Sequence, residues 1–146
     1  MELSRQKGEW LHREVKESVD YPWEGLNKKL YGMRKGELVT LTGGTGLGKS
    51  SVTRELEHWL IKNTEDNVGM VALEENWLRT ADGIISIEAN DRLYLTEKRN
   101  NYSEEQLTEL FDKVIPNGRV YIHAHLGATD IEEIFSKTRY ISVSVS

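Results

Sequence analysis

The stretch Gly36-Glu37-Leu38-Val39-Thr40-Leu41-Thr42-Gly43-Gly44-Thr45-Gly46-Leu47-Gly48-Lys49-Ser50 decides how this chain is read. Its first half is a short apolar run with β-branched residues that ends in glycines, a pattern that predicts a buried strand feeding a loop. Its second half has the spacing Gly43-x4-Gly48-Lys49-Ser50 of a Walker A box. Each piece of that box has a physical task. The glycines let the backbone of Gly43, Gly44, Thr45, Gly46, Leu47 and Gly48 wrap so that N–H groups converge on phosphate oxygens. The helix that follows adds its N-terminal N–H groups and the positive end of its dipole. Lys49 is placed to reach the β- and γ-phosphates, and the Ser50 hydroxyl to hold Mg²⁺. A glycine-rich turn can arise by chance, but this one lies between a predicted strand and a predicted helix, which is the context the motif needs.

Working outward, Val52, Leu56, Trp59 and Leu60 recur at helical spacing from Lys49 to about Ile61. Val68 to Leu73 reads as a second buried strand, and residues 76–89 as a helix with Leu78, Ala81, Ile84 and Ile85 on one face. Gly83 weakens that helix. Ser103 and Gln106 have the spacing of a capping box for a helix reaching about Val114. After the turn Pro116-Asn117-Gly118 comes a third strand, Arg119 to Ala124, and then a helix over 129–138 capped by Thr129 or Asp130. The tail Ile141 to Ser146 alternates as a strand does. Towards the N-terminus, residues 3–18 form a charged helix, broken at Asp20 to Gly25 by Pro22 and Gly25. The order is α/β and predicts a mostly parallel sheet covered by helices. Residues 1–20 are expected to form a linker helix and residues 21–146 a single domain.

The second chemical feature is Glu74-Glu75, directly after the Val68–Leu73 strand. Ligands of open parallel sheets sit outside the carboxyl ends of strands, so a carboxylate here could orient and deprotonate a water near the γ-phosphate. An acidic pair opening a helix at Asn76 explains the same residues through the helix dipole. His123 and His125 share a strand face with Tyr121, but no third ligand is spaced to join them in a metal site. Trp10, Trp23, Trp59 and Trp77 are scattered and read as core or interface residues.

Bulk properties narrow the class. With 38% hydrophobic and 29% charged residues the chain is globular rather than disordered, and its 146 residues suit one core. No apolar stretch approaches the ~20 residues of a membrane span. Acids and bases are mixed through the first twenty residues, which fits neither a signal nor a transit peptide. The absence of cysteine excludes a disulfide framework and suits a cytoplasmic setting, in a bacterium or a phage-infected host. A net charge of −5 excludes nucleic-acid binding through a globally basic surface. The densest basic run, Lys28, Lys29, Arg34 and Lys35, reads as a solvated approach to a strand.

The segment Gly32-Met33-Arg34-Lys35-Gly36-Glu37, the Walker A stretch behind it, and Gly69-Met70-Val71-Ala72-Leu73-Glu74-Glu75 together resemble a family. It is the RecA-like ATPase domain of DnaB-type, superfamily four, replicative hexameric DNA helicases. The likeness is greatest to the helicase half of phage primase-helicases and of Twinkle, and it runs from about Tyr21 to the end. The resemblance implies a partial RecA-like P-loop NTPase core binding ATP, or another nucleoside triphosphate, with Mg²⁺. By motif position it implies Glu74 as catalytic base, with Glu75 the lesser choice. For the full-length family it also implies a ring-forming homo-oligomer acting on single-stranded DNA in replication. The pattern departs from the family after Glu75, where no apolar run ends in the expected Walker B Asp. Ile141 to Ser146 resembles the residues that ordinarily follow that Asp, so the sequence is expected to be a fragment or to carry an internal deletion, with little or no unwinding activity. Two other readings stay open: a non-enzymatic nucleotide-binding or ring-assembly module, and a different RecA-like ATPase.

Overall fold

A parallel strand forms only where partners and covering helices exist, and those conditions are met in the second half of the chain. The computed structural model describes residues 3–14, 17–44, 46–72, 75–124 and 141–145. They divide into two compact units, Met1–Val39 and Thr40–Ser146.

In the first unit a 3-10 turn over Leu3–Gln6 leads into one short helix, α1 (Lys7–Leu11), which His12 closes by donating its N–H to the Gly8 carbonyl. No residue of α1 is buried, so no packing offsets the flexibility of Gly8. The helix therefore covers less than the 3–18 span its charges suggested. Strand β1 (Ser18–Val19) pairs antiparallel with β2 (Met33–Arg34), and helix α2 (Glu24–Leu30) fills the connection. Tyr21 and Asn27 exchange two hydrogen bonds across the start of that connection, at 2.7 and 2.9 Å. Gly32 sits at φ +81°, where a Cβ would lie 2.9 Å from the Val19 carbonyl oxygen, so only glycine fits the return into β2.

The second unit contains α3 (Lys49–Asn63), β3 (Val68–Ala72), α4 (Trp77–Ala89), α5 (Thr96–Arg99), α6 (Glu104–Val114), β4 (Val120–Ala124) and β5 (Ile141–Val145). Its sheet has the order β4-β3-β5 with both pairings parallel, Val68 standing opposite Val120 on one side and Ile141 on the other. Val68, Met70 and Val71 are all buried although they alternate in direction, as a central strand covered on both faces requires. Leu60 and Ile61 from α3, Ile84 and Ile85 from α4, and Val114 from α6 supply further buried side chains. A satellite cluster of Ala81, Ile85 and Leu93 is packed by Tyr102, Leu107 and Leu110. The fold is thus mixed α/β with two small sheets, one of them parallel.

Local signals explain the helix boundaries. The Ser103–Gln106 capping box forms in both directions, at 3.2 and 2.9 Å. Asn76 caps α4 by accepting the Leu78 N–H at 3.0 Å. At the far end of α3 the carbonyls of Thr64 and Asp66 accept from the Arg119 guanidinium, which ties that end to the start of β4. Glu88 of α4 takes His58 at 2.8 Å, Lys62 at 3.2 Å and Lys113 at 2.9 Å, joining α3, α4 and α6. The hydrogen bond from Lys113 leads the causes that hold the Glu88 carboxyl down at about 2.

One expected strand is not formed. Residues 38–42 have no regular structure, and Leu38, Val39 and Leu41 are 93%, 57% and 54% exposed. The sheet is complete as β4-β3-β5 among the described residues, and the apolar run pairs with none of its strands. Strand propensity without a pairing partner does not make a strand. The tail does form one: β5 lies parallel to β3. The helix expected over 129–138 falls outside the described residues.

Candidate functional site

The glycine loop leads into the longest of the described helices, and its geometry follows from its sequence. Gly46 and Gly48 adopt φ +79° and +82°, a region that costs glycine nothing and other residues strain. Gly48 is the residue before α3, and Val52 donates back to its carbonyl at 3.0 Å. No side chain caps α3 and its first turn holds no acid, in contrast to α4 and α6 with their Asn76 and Ser103 caps. The first N–H groups of α3 therefore face outward with the positive end of the dipole behind them. The stem of Lys49 folds back over the loop: a Cβ on Gly43 would sit 3.6 Å from Lys49 Cγ. Gly43, Gly44, Gly46, Leu47 and Gly48 are exposed and Lys49 and Ser50 partly so, while Thr45 lies outside the described residues. The loop residues are thus gathered around the start of α3, as an anion cradle requires.

Behind Ser50 lies a polar cluster that the sequence did not announce. A cavity of about 10 Å³ is lined by Ser50, Arg54, Glu57, Met70, Val71, Glu75 and Thr80, about enough for a single water. Arg54 and Glu57 fall one and two turns beyond Ser50 on the same side of α3. Arg54 Nη2 donates to both carboxylate oxygens of Glu75, at 2.8 and 2.7 Å. The Thr80 hydroxyl donates to Glu75 Oε1 at 2.8 Å, and Arg79 lies 3.8 Å from Oε2. Glu75 is thereby committed to α3 and α4. Its neighbour Glu74, the expected base, lies outside the described residues.

Arg54 reaches Glu75 through a gap in α4. A Cβ on Gly83 would lie 2.5 Å from both Cδ and Nε of Arg54. The glycine that weakened the helix pattern is the slot through which the arginine passes. Glu57 is 1% exposed, and neither of its carboxylate oxygens has a hydrogen-bond partner among the described residues. Burial pushes its carboxyl up to about 8; Arg54 opposes the rise and Glu75 adds to it. Glu57 is therefore protonated and neutral at pH 7. The face of α3 expected to point inward was Val52, Leu56, Trp59 and Leu60; the structure buries Glu57, Leu60 and Ile61 and leaves Val52 exposed.

Beyond this cluster an open groove of about 1070 Å³ runs between α3 and α4, lined among others by Ser51, Arg79, Asp82 and Arg92. Its charges are mixed in sign. No group of three or more His, Cys, Asp or Glu residues is arranged for a metal ion among the described residues. His123 lies in β4, but its side chain and the whole of His125 fall outside the description. No described helix is long and apolar enough to cross a membrane.

No protein-family model matches the chain. It is 24% identical over 120 residues, 81% of its length, to a DNA helicase/primase of Enterobacteria phage T3. The chain spans 21% of that relative's length. At this identity the relationship is helicase-like in the broad sense.

Proposed function

We propose that this chain binds the phosphates of Mg·ATP, or of another nucleoside triphosphate, in the loop Gly43–Ser50, as part of the RecA-like ATPase region of a DnaB-type replicative helicase. The observation that carries this is the start of α3: a long helix with no side-chain cap, entered through two positive-φ glycines, with the Lys49 stem folded over Gly43. An uncapped helix start leaves its N–H donors to an outside anion, and a lysine beside it adds a full positive charge. The residues fit the group they are proposed to hold. Backbone N–H groups of Gly43, Gly44, Thr45, Gly46 and Gly48 would take the phosphates, Lys49 would neutralise them, and the Ser50 hydroxyl would be the Mg²⁺ ligand; the Leu47 N–H is instead donated to the Gly44 carbonyl at 3.3 Å, closing the turn of the loop.

Mg²⁺ held by the Ser50 hydroxyl would supply neutralisation of the phosphate charge. In the proposed reaction Glu74 is the base for the attacking water, with Glu75 excluded from that role by its four contacts to Arg54, Arg79 and Thr80. The likeness to a phage DNA helicase/primase supports this direction. Work on single-stranded DNA and assembly into a ring belong to the same proposal. Within residues 76–146 no apolar run ends in Asp, so Ser50 is the one metal ligand this proposal names, and weak binding with negligible unwinding is the outcome proposed for these 146 residues.

Titration calorimetry with Mg·ATP tests the site. Binding that Lys49→Ala removes supports it, and equal heats from the two proteins would refute it. Strand displacement by the purified chain would refute the second part.

A further inference from the structure

We propose that Arg54 is a positioning residue of the phosphate site: it neutralises and holds Glu75 so that the acidic pair after β3 meets an incoming triphosphate with one negative charge instead of two. The inference rests on the reading of Gly43–Ser50 as a triphosphate loop.

Three independent features of the fold converge on Arg54. It stands one turn beyond Ser50 on the helix that the loop opens, so its position is set by the same backbone that sets the loop. Its guanidinium takes Glu75 at 2.8 and 2.7 Å while Thr80 adds a third bond to the same carboxylate. Finally, α4 carries a glycine where any Cβ would strike the Arg54 side chain at 2.5 Å, a gap in mid-helix that serves this side chain alone among the contacts described. Helices carry internal glycine at a cost, so the slot is part of how the pair is built.

The charges follow from the surroundings. Ser50 and Glu75 line one small cavity, so Glu75 stands across it from the residue proposed to hold Mg²⁺. Glu57 lines the same cavity with its carboxyl unpartnered and buried. The cluster therefore sums to zero when Arg54 and Glu75 are paired and Glu57 holds its proton. Without Arg54, the one cation left beside Glu75 among the described contacts is the exposed Arg79 at 3.8 Å, so Glu75 is poorly neutralised close to a ligand that is itself highly anionic. A like charge at such distance opposes phosphate binding, and more strongly for ATP than for ADP.

The test is Mg-dependent binding of a fluorescent ATP analogue and its ADP counterpart to four proteins: wild type, Arg54→Gln, Glu75→Gln and the double variant. Arg54→Gln is expected to weaken the ATP analogue about tenfold and the ADP analogue less. Glu75→Gln and the double variant are expected to stay within about twofold of wild type, since neither leaves an unpaired carboxylate. If the pair were only a structural strut, either single change would break it equally; Glu75→Gln as damaging as Arg54→Gln would overturn the proposal. A double variant no better than Arg54→Gln would do the same. Should Arg54→Gln fail to fold, the double variant and Arg54→Lys decide: binding near wild type in both supports the proposal, and loss in both overturns it. Lys49→Ala in the same assay separates the two levels. Binding that survives Lys49→Ala removes the loop reading itself, whereas loss there with no rescue in the double variant removes only the role of Arg54.

Discussion

Replacing Glu57 by Gln is expected to stabilise the protein by an amount that depends on pH. Glu57 is 1% exposed, its carboxyl has no hydrogen-bond partner among the described residues, and burial raises it to about 8 from an ordinary 4.5. In the unfolded chain the acid ionises above 4.5; in the folded protein it keeps its proton until about 8. Between those values the folded state holds one more proton than the unfolded state, so stability falls as pH rises. The slope is about 1.4 kcal/mol per pH unit, which accumulates to about 3 kcal/mol at pH 7. Glutamine has nearly the same shape and no proton to lose. The advantage of Glu57→Gln over wild type should therefore grow by about 3 kcal/mol from pH 4.5 to pH 7 and level off above pH 8. Urea unfolding followed by tryptophan fluorescence at pH 5, 6, 7 and 8 measures it. A difference between the two proteins that is the same at all four values would refute the account of Glu57 as a buried neutral acid.

Other consequences concern the helices. Gly83→Ala raises helix propensity by about 1 kcal/mol, yet its Cβ would meet Arg54 at 2.5 Å; a net loss of about 1–2 kcal/mol is expected from displacing the partly buried Arg54–Glu75 pair, and a raised melting temperature would contradict it. Glu88→Gln removes the negative charge and one of the two acceptor oxygens shared by Lys113, His58 and Lys62 and should cost about 1–2 kcal/mol at neutral pH. Because the folded Glu88 carboxyl is held at about 2, that stability is present above 4.5 and is lost as pH falls towards 2, so acid titrations of the two proteins should converge there. Ser103→Ala breaks the capping box of α6 and should lower stability by about 1 kcal/mol at neutral pH; an unchanged urea midpoint would show that the cap contributes nothing.

What the sequence revealed was what short-range physics decides. The capping box is legible because Ser103 and Gln106 act on backbone groups within three residues of each other. The start of α3 is legible because Gly48 and Lys49 set it locally. The run Leu38 to Leu41 was misread for the opposite reason: its apolar pattern is local, but a strand exists only where another strand accepts it. β5, nearly indistinguishable from it in pattern, found that place beside β3. In the candidate site, Glu57 drew no reading from the sequence, since periodicity alone does not say that Arg54, Glu57 and Ile61 turn inward. Gly83 counted against its helix because the residue that needs the gap lies far back in the chain. The signal that could have found the cluster was the i, i+4, i+7 spacing of Ser50, Arg54 and Glu57.

Arg119 carries a consequence for the order in which the chain assembles. Its guanidinium seals the carbonyls at the end of α3, and its own carbonyl accepts the Val68 N–H at 2.8 Å as β3 begins. The carbonyl of Thr64 that it seals is 55 residues upstream. On a ribosome, the helix that opens with the glycine loop emerges well before the residue that closes its far end. Until β4 is made, that end frays and β3 lacks the neighbour in register with it. Closing so long a loop is the slow step of such a topology. The glycine loop is thus synthesised early and its helix locked late, which makes the interval between the two the time when a nascent chain is most open to proteolysis or mispairing.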